Sequence, residues 1–418
     1  MHRSLPPLAA TLAAVTASAV LPLLAGPAHA APTRTPTLES RSVLPARTFA
    51  PGPASGTAIG AGPFNGVTVP FAGQPVQGIS ALIEGTRPGS YLGLSDNGFG
   101  SKANSADYLL RAYVLRPDRR TGAVEVLDHI SFSDPRGLAG QPLTRSDRLL
   151  TGADFDPESI RRVADGTYWV GEEFGPSLLH FSATGELLQA PVRFPVPDRL
   201  SAYGRGLPLV TSPDAPELVG TTRLPNHPRS GGIEGMALST DGRTLYPSLE
   251  GALLDDPVRQ RRVVYAFNVA TQRFLPQTAD LLLSDGTVAI GDLTAAGKDS
   301  LLVIERDNGE GLAARAKRIA LVDISDFSGT LPSTPLVDLL ALANPDLIGG
   351  PASPGTVGLG STFGFPFTTI ESVLVKNPRT LVVANDNNFP FSSGRRPGTP
   401  DDNEIIEIRL PAPLPRGK

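Results

Sequence analysis

The sequence contains no cysteine among its 418 residues, and only five histidines. The absence of cysteine excludes disulfides, thiolate nucleophiles and cysteine-ligated metals. The sequence also lacks the HExxH pair of zinc ligands and the GxSxG elbow of α/β-hydrolases. It has no RHG signature of histidine acid phosphatases either. Any catalytic centre must therefore be built from carboxylates, amides, arginines or a lone histidine.

An excess of basic charge is missing as well. The formal net charge is −4, which gives no electrostatic reason to expect a nucleic-acid partner. Few windows show a sustained helical period, which disfavours an αβ repeat. The chain instead contains 44 glycines and 42 prolines without a collagen period, a composition typical of many turns between short strands.

The N-terminus predicts export. Residues 1–30 read as a signal peptide, with an Ala-rich apolar run over Leu8–Leu24 and a small-x-small cleavage site at Ala28-His29-Ala30. The alternative is a retained membrane anchor, which prolines within the run disfavour. No later segment is apolar and long enough to span a bilayer, so we expect a secreted protein without stable membrane insertion after signal removal. We assign residues 31–56 to a flexible segment, 57–412 to one domain and 413–418 to a tail.

One unit recurs along the domain: a short strand, a tight turn, an apolar strand and then an acid. Turn residues follow each start by six or seven positions, and such residues supply hairpin geometry. The turns are Arg87-Pro88-Gly89, Asp165-Gly166, Asp241-Gly242, Gly297-Lys298 and Asn377-Pro378. Further strands follow the acid in most copies. The repeats predict an all-β fold, a single β-propeller of four-stranded blades.

We count five repeat units, spaced about 55 to 80 residues apart, and six blades remain an alternative. The last unit runs out of chain after three strands, so we expect an N-terminal strand to complete it and close the ring. Residues 195–230 and 331–367 read as insertions, and Leu336–Ala343 is predicted as a short helix.

The acids recur in register. Three of them begin a first strand (Glu158, Glu234 and Glu371), and others follow the next strand. The start of one strand lies beside the end of its antiparallel partner, so both sets should meet at one mouth of the channel. The predicted metal ligands are Asp96, Glu158, Glu172, Glu173, Glu234, Glu250, Glu305, Glu371 and Asp386. Oxygen ligands of this kind favour Ca²⁺, with Mg²⁺ or Mn²⁺ as alternatives. The competing interpretation is that each acid only caps a turn.

Three further residues are candidates for catalysis. Arg306 occupies, in the fourth unit, the place that an acid takes in the others, where it could bind an anion. Arg395 lies on a loop expected to face the same mouth. His227 stands near Glu234 and could act as a base or a ligand.

Several motifs carry a family resemblance. The stretch Phe365–Leu410, SDNGFG at Ser95, DPESI and GEEFGP within Asp156–Pro176, and GGIEGMA at Gly231 closely resemble the bacterial "esterase-like activity of phytase" family. The resemblance covers most of the mature chain. It implies an exported propeller-like domain with phosphoesterase or esterase activity. All of the predicted ligands except Glu305 match the family's motif acids in place.

Three functions are compatible with these observations. The first is an exported, calcium-dependent hydrolase of phosphoesters, with a small-molecule substrate. The second is a lactonase or carboxylesterase built as a metal-centred propeller, which Asn97, Asn308, Asn385 and Asn387 would suit. The third is a binding or scaffold propeller whose acids are structural. The substrate and the oligomeric state stay open.

Overall fold

A computed structural model describes residues 1–2 and 35–415, and the predicted signal peptide lies almost wholly outside these residues. Helix is confined, in the part described, to three short 3-10 turns at Asp198–Tyr203, Pro216–Leu218 and Gly311–Ala313. No helix among the described residues is long and apolar enough to cross a membrane. The remaining regular structure is β, as the sequence predicts.

The strands are short and follow one another through tight turns. In chain order they are β1 Thr37–Leu44, β2 Phe49–Ala50, β3 Gln74–Pro75, β4 Ile79–Glu84, β5 Tyr91–Ser95, β6 Arg111–Asp118, β7 Ala123–Ser131, β8 Pro157–Arg162, β9 Tyr168–Glu172, β10 Ser177–Phe181, β11 Val192–Arg193, β12 Ile233–Leu238, β13 Thr244–Leu249, β14 Arg261–Asn268, β15 Arg273–Leu282, β16 Ala289–Gly297, β17 Ser300–Arg306, β18 Lys317–Asp323, β19 Ser333–Asp338, β20 Leu342–Ala343, β21 Thr362–Phe363, β22 Thr369–Asn377, β23 Thr380–Asp386 and β24 Asn403–Arg409.

Four-stranded antiparallel meanders are arranged round an axis. Among residues 35–415 these are β4–β7, β8–β11, β12–β15, β16–β19, and a last one in the order β22-β23-β24-β1. The first strands of the meanders contact one another in cyclic order, β4 with β8, β12, β16, β22 and again β4. The predicted propeller architecture of four-stranded sheets is confirmed.

The last meander takes its outer strand from the N-terminal end of the chain. β1 pairs antiparallel with β24 from Thr37↔Arg409 to Leu44↔Asn403. Val43 of β1 also bridges to Ala123 of β7 in the first meander. Residues 37–50, predicted to be flexible, therefore belong to the fold. Without β1, strand β24 would form the edge of the last meander and expose a row of unpaired backbone groups.

Apolar side chains fill the spaces between neighbouring sheets. Strands β9 and β10 are buried along their whole length, because each lies between two other sheets. Trp169 is inaccessible to solvent, stacks on His180 at 4.2 Å and meets Phe267 of the third meander edge-on. Burial of each such side chain contributes about 2–3 kcal/mol.

The helix predicted at Leu336–Ala343 is wrong. Ser333–Asp338 forms the outer strand of the fourth meander, with Val337 opposite Ile319, and Leu342–Ala343 forms the short strand β20. Pairing with the exposed edge of β18 overrides the local helical pattern, as tertiary context commonly does.

Candidate functional site

Carboxyl groups from four of the five meanders converge where the first strands surround the axis. Each predicted strand-end residue lies opposite the start of its hairpin, as in the pairing of Thr369 with Asp386. The cluster comprises Asp96, Asp156, Glu158, Glu173, Glu234, Glu250, Glu371, Asp386 and, from the fourth meander, Arg306. We call this set the acidic centre.

A β-bulge sits at the start of each innermost strand. The pairing register skips Glu158 in β8, Glu234 in β12 and Glu371 in β22. A bulge leaves its extra residue outside the ladder and re-aims its side chain. The repeated bulge is thus the device that directs three glutamates toward the axis.

These three glutamates have no hydrogen-bond donor among the described residues. Glu158, Glu234 and Glu371 are only 8%, 4% and 4% exposed. The Oε1 atom of Glu234 is buried without any hydrogen-bond partner. A buried carboxylate normally accepts several hydrogen bonds, so the chemistry of carboxylates without donors fits a site for a cation or for shared protons.

The strand-end acids and Asp156 differ, because protein groups orient them. The donors are the Gly98 amide to Asp96 at 2.9 Å, the Asn97 side-chain amide to Asp156 at 2.6 Å, the Gly231 amide to Glu173 at 2.8 Å and the Asn388 amide to Asp386 at 2.7 Å. Ser230 adds a second bond to Glu173 at 3.1 Å. Donors of this kind fix the direction of a ligand, as supporting residues do around metals.

Arg306 is the cation of the acidic centre. Its Nη2 atom lies 2.7 Å from Glu250 Oε1 and 3.7 Å from one oxygen each of Glu234 and Glu371. Its Nη1 atom donates to the side-chain oxygen of Asn308 at 3.0 Å. Burial alone would lower the pKa of Arg306, but the three carboxylates outweigh it and raise that pKa. One guanidinium nevertheless faces eight carboxyl groups.

The surplus negative charge shows in the acids themselves. Burial, followed by the charge of Asp386, raises the pKa of Glu371 to about 8. Burial raises the pKa of Asp386 to about 6. The same two causes, burial and neighbouring carboxylates, lift the pKa values of Asp96, Glu158, Glu173 and Glu234 well above the ordinary range. A cation bound among these groups would let them stay ionised at neutral pH.

Two groups of three acids have the spacing of metal ligands. One oxygen from each of Asp156, Glu158 and Glu173 lies within 4.8 Å of the others, and so do oxygens of Glu173, Glu234 and Glu250. The second group is partly neutralised by Arg306, whereas the first has no salt bridge to a described arginine or lysine. The donor set, all carboxylate oxygen, fits a hard divalent cation.

Two predicted ligands do not join the acidic centre. Glu172 points away from the axis and accepts hydrogen bonds from the Phe174 and Gly175 amides and the Ser177 hydroxyl. Glu305 turns toward the Ser284 hydroxyl. Each directly precedes a residue that faces the axis, Glu173 and Arg306, and adjacent strand residues point to opposite sides. The alternation of side chains was the signal that could have excluded both.

Two of the three catalytic candidates have structural contacts instead. Arg395 donates to both oxygens of Glu404 at 2.9 and 2.8 Å, and its guanidinium carbon lies about 5 Å from the ring centroids of Phe363 and Phe367. His227 is fully buried with Nε2 3.1 Å from the Gly251 carbonyl, and burial lowers its pKa to about 4. Only Arg306 among these candidates lies in the acidic centre.

Sequence reasoning missed Asp156. It lies directly before β8, two positions before Glu158, and its carbonyl accepts a hydrogen bond from the backbone amide of Glu173 at 3.0 Å. The corresponding positions in the other copies include Gly78 and Gly232, so the acid is not part of the repeat. Comparison of the copies identified the glutamates that the copies share, and it missed Asp156 because only the second meander has an acid at that position.

Residues 74–389 match the protein family described as "Phytase-like: Esterase-like activity of phytase". This span includes the whole acidic centre. The chain belongs to this phytase-like family. The resemblance noted in SDNGFG, DPESI, GEEFGP and GGIEGMA is thereby confirmed. These motifs of the phytase-like chain supply Asp96, Asp156, Glu158, Glu173 and Glu234 to the acidic centre.

Among known proteins, the phytase-like chain is similar to an uncharacterized secreted protein of Arthroderma benhamiae. The two are 35% identical over 187 residues, which cover 36% of this chain and 35% of that protein. The match thus spans about one third of the relative's length.

Solved structures similar to the phytase-like chain have low sequence identity. They include the Dos1 propeller (12% identical, 84% of this chain and 72% of that chain, TM-score 0.30) and the RRP9 WD40 repeats (11%, 90% and 99%, TM-score 0.35). A GH43 β-1,3-galactosidase is 10% identical over 80% of this chain and 91% of that chain, with a TM-score of 0.43.

Proposed function

We propose that this phytase-like protein is an exported, divalent-cation-dependent hydrolase that acts on phosphoesters at the acidic centre. The observation that carries the proposal is the set of three bulge glutamates, Glu158, Glu234 and Glu371. They are buried, each lies at a bulge at the start of an innermost strand, and none receives a hydrogen bond from the described residues. A turn-capping role requires donors that these carboxylates lack.

The cation is best accommodated by Asp156, Glu158 and Glu173. Their oxygens lie within 4.8 Å of one another, and Asn97, Gly231 and Ser230 hold two of the three in place. Calcium accepts several carboxylate oxygens in flexible geometry, which favours it over magnesium, while manganese remains compatible with the same ligands. A bound divalent cation would polarise a phosphoryl oxygen and lower the pKa of a bound water.

Arg306 would supply the second positive group. Glu234, Glu250 and Glu371 hold its guanidinium beside the cation ligands. A fixed, buried guanidinium can stabilise charge that develops on transferring phosphoryl oxygens. The three glutamates would thereby act as positioning residues for the arginine, in addition to any contact with the cation.

The asparagines that suited a lactonase are largely engaged in hydrogen bonds with protein groups. Asn97 holds Asp156, Asn385 bonds the Asp402 carbonyl, and Asn387 bonds the Asp401 carbonyl. Each is oriented by these bonds toward protein groups, so the acidic centre is left as a site of carboxylates and one arginine. This arrangement supports phosphoester chemistry over the lactonase alternative.

Export is part of the proposal. It is supported by the predicted signal peptide and by the secreted relative, which shares 35% identity over 187 residues. An extracytoplasmic location would supply calcium without a specific delivery system.

Substrate panels with and without metal test the proposal. We expect hydrolysis of phosphomonoesters such as phenyl phosphate in calcium, loss of activity in chelator, and at least a hundredfold lower kcat in Glu158→Gln. The matched control is Glu172→Gln, which changes an equally buried acid that faces away. Activity only on lactones or carboxylic esters would support the second function. Activity on neither panel, with the same melting temperature in chelator and in calcium, would favour a binding propeller.

A further inference from the structure

A cleft between the third and fourth meanders opens beside the acidic centre. It has a volume of about 400 Å³ and is lined by Glu250, Asn308, Arg259, Arg262 and Ser230, among others. Glu250 belongs to the acidic centre, and Ser230 donates to Glu173. The cleft and the acidic centre are therefore continuous through shared residues.

The cleft carries positive charge with unused donors. Arg259 is exposed and uses only Nη1, with its best bond to the Leu253 carbonyl at 2.6 Å, so that Nε and Nη2 have no partner among the described residues. Arg262 is 4% exposed; both terminal nitrogens donate to backbone carbonyls, but its Nε is buried without a partner. The side-chain amide nitrogen of Asn308 is also without a described acceptor.

Little negative charge offsets these arginines. Glu250 is the acid that lines the cleft, and it is paired with Arg306 at 2.7 Å. Burial, helped by the charges of Arg259 and Arg306 and opposed by Glu250, lowers the pKa of Arg262 to about 10. A buried guanidinium crowded by other cations is stabilised by an anion, and arginine is suited to phosphate oxygens.

The two sides of the opening therefore differ in sign. The acidic centre presents carboxylates from the first, second, third and fifth meanders, whereas the cleft between the third and fourth meanders presents Arg259 and Arg262. An anionic substrate that approaches a negative site needs a positive path, because like charges at short range cost several kcal/mol.

We infer that this cleft is the subsite for an anionic group of the substrate, and that Arg259 is a specificity-determining residue for phosphoesters over neutral esters. The role of the cleft in the reaction rests on the proposed function. The affinity of the cleft for phosphate is independent of that function. Arg259 would bind the phosphoryl oxygens from solvent, and the field of Arg262 would hold the group next to Arg306 and the cation ligands.

The test compares Arg259→Gln with Arg273→Gln. Arg273 is also an exposed arginine of the third meander, but it lies at the opposite end, where it pairs with Asn268. Inorganic phosphate is titrated into each protein in chelator and followed by calorimetry. Wild type and Arg273→Gln should bind alike, and Arg259→Gln should bind about three- to tenfold more weakly. Arg259→Lys keeps the positive charge but loses the paired N–H donors of the guanidinium, so its affinity for phosphate should lie between those of wild type and Arg259→Gln.

Kinetics separate the inference from the proposed function. Arg259→Gln should raise KM for phenyl phosphate, whereas Arg273→Gln should leave that KM unchanged. Absence of phosphate binding to wild type, or equal binding by both glutamine variants, would overturn the subsite. Loss of phosphate binding in Arg259→Gln without hydrolysis of any ester would keep the subsite and refute the proposed function. Phosphoester hydrolysis that Arg259→Gln leaves unaltered would keep the function and refute the subsite.

Discussion

Replacing Glu158 by Gln should stabilise the protein in the absence of calcium and weaken the stabilisation that calcium provides. The oxygens of Glu158, Asp156 and Glu173 lie within 4.8 Å of one another. Two charges at that separation repel by about 3.5 kcal/mol at an effective dielectric constant near 20. Protonation relieves part of this repulsion, so we expect removal of one charge to stabilise the cation-free protein by about 1–2 kcal/mol.

Calcium should narrow or remove the difference between the two proteins. A ligand at a hundred times its Kd stabilises the native state by about 2.7 kcal/mol. For a domain of this size that corresponds to a rise in Tm of about 3–4 °C. Without the Glu158 charge, calcium binds more weakly and the rise should shrink to half or less. The variant should therefore melt about 1–3 °C above wild type in chelator and gain less from calcium.

Thermal melting in chelator and across a calcium titration measures both effects. Glu172→Gln is the control, because Glu172 is equally buried but accepts three hydrogen bonds outside the acidic centre. It should lower Tm by a similar amount under both conditions and leave the calcium response intact. A Glu158→Gln protein that is less stable than wild type in chelator, with an unchanged calcium shift, would refute the electrostatic reasoning.

Three further outcomes follow from the same contacts. Because the pKa of Glu371 is raised to about 8 and that of Asp386 to about 6, the folded state holds protons that the unfolded chain releases above about pH 4.5. Cation-free stability should therefore fall as pH rises from about 4.5 to 8, and saturating calcium should flatten this dependence; a rising Tm in chelator would contradict it. Arg306→Met should cost about 3–5 kcal/mol in chelator, since it leaves buried carboxylates without their cation, and calcium should restore part of the loss in denaturant titrations. Arg395→Ala should cost about 2–4 kcal/mol by breaking the buried pair with Glu404, whereas its calcium-dependent Tm shift should equal that of wild type; a smaller shift would place Arg395 at the site.

Local chemistry explains why the repeat was visible in the sequence. Asp-Gly turns at 165–166 and 241–242 dictate hairpins by themselves: Gly166 and Gly242 adopt positive φ angles of 87° and 71°, which favour glycine. The apolar runs that follow, such as Tyr168–Gly171, are typical of strands packed between two sheets. Equivalent acids at the same offsets then placed Glu158, Glu234 and Glu371 at one end of their hairpins.

The alternation of strand side chains was also present in the sequence, and it decides which neighbouring acid faces the axis. Glu173 and Arg306 face inward, and Glu172 and Glu305 face outward, because adjacent residues of a strand lie on opposite sides. The prediction of nine metal ligands included both outward-facing acids because it considered only where the acids lie along the chain. It did not consider which side of the strand each acid faces.

The strand count of the last unit led us to expect an N-terminal partner, but local pattern could not identify which residues form that strand or its register. β1 finds its partner β24 more than 350 residues away, and nothing in the composition of residues 37–44 distinguishes that edge from others. The pairing is decided by which edge remains open once the other meanders have formed, a property of the whole ring. The same holds for Arg395, whose loop position suggested a substrate contact until Glu404, on β24, was brought against it.

The sequence by itself determined that hairpins recur and that each carries an acid at one end, since turns and strand periods are local. Tertiary structure alone decided how closely the predicted carboxylates approach one another, that Glu158, Glu234 and Glu371 lack donors, and that Arg306 lies beside Glu234, Glu250 and Glu371. Charge repulsion and burial depend on distances between residues far apart in the chain, and those distances exist only after the sheets have packed round the axis.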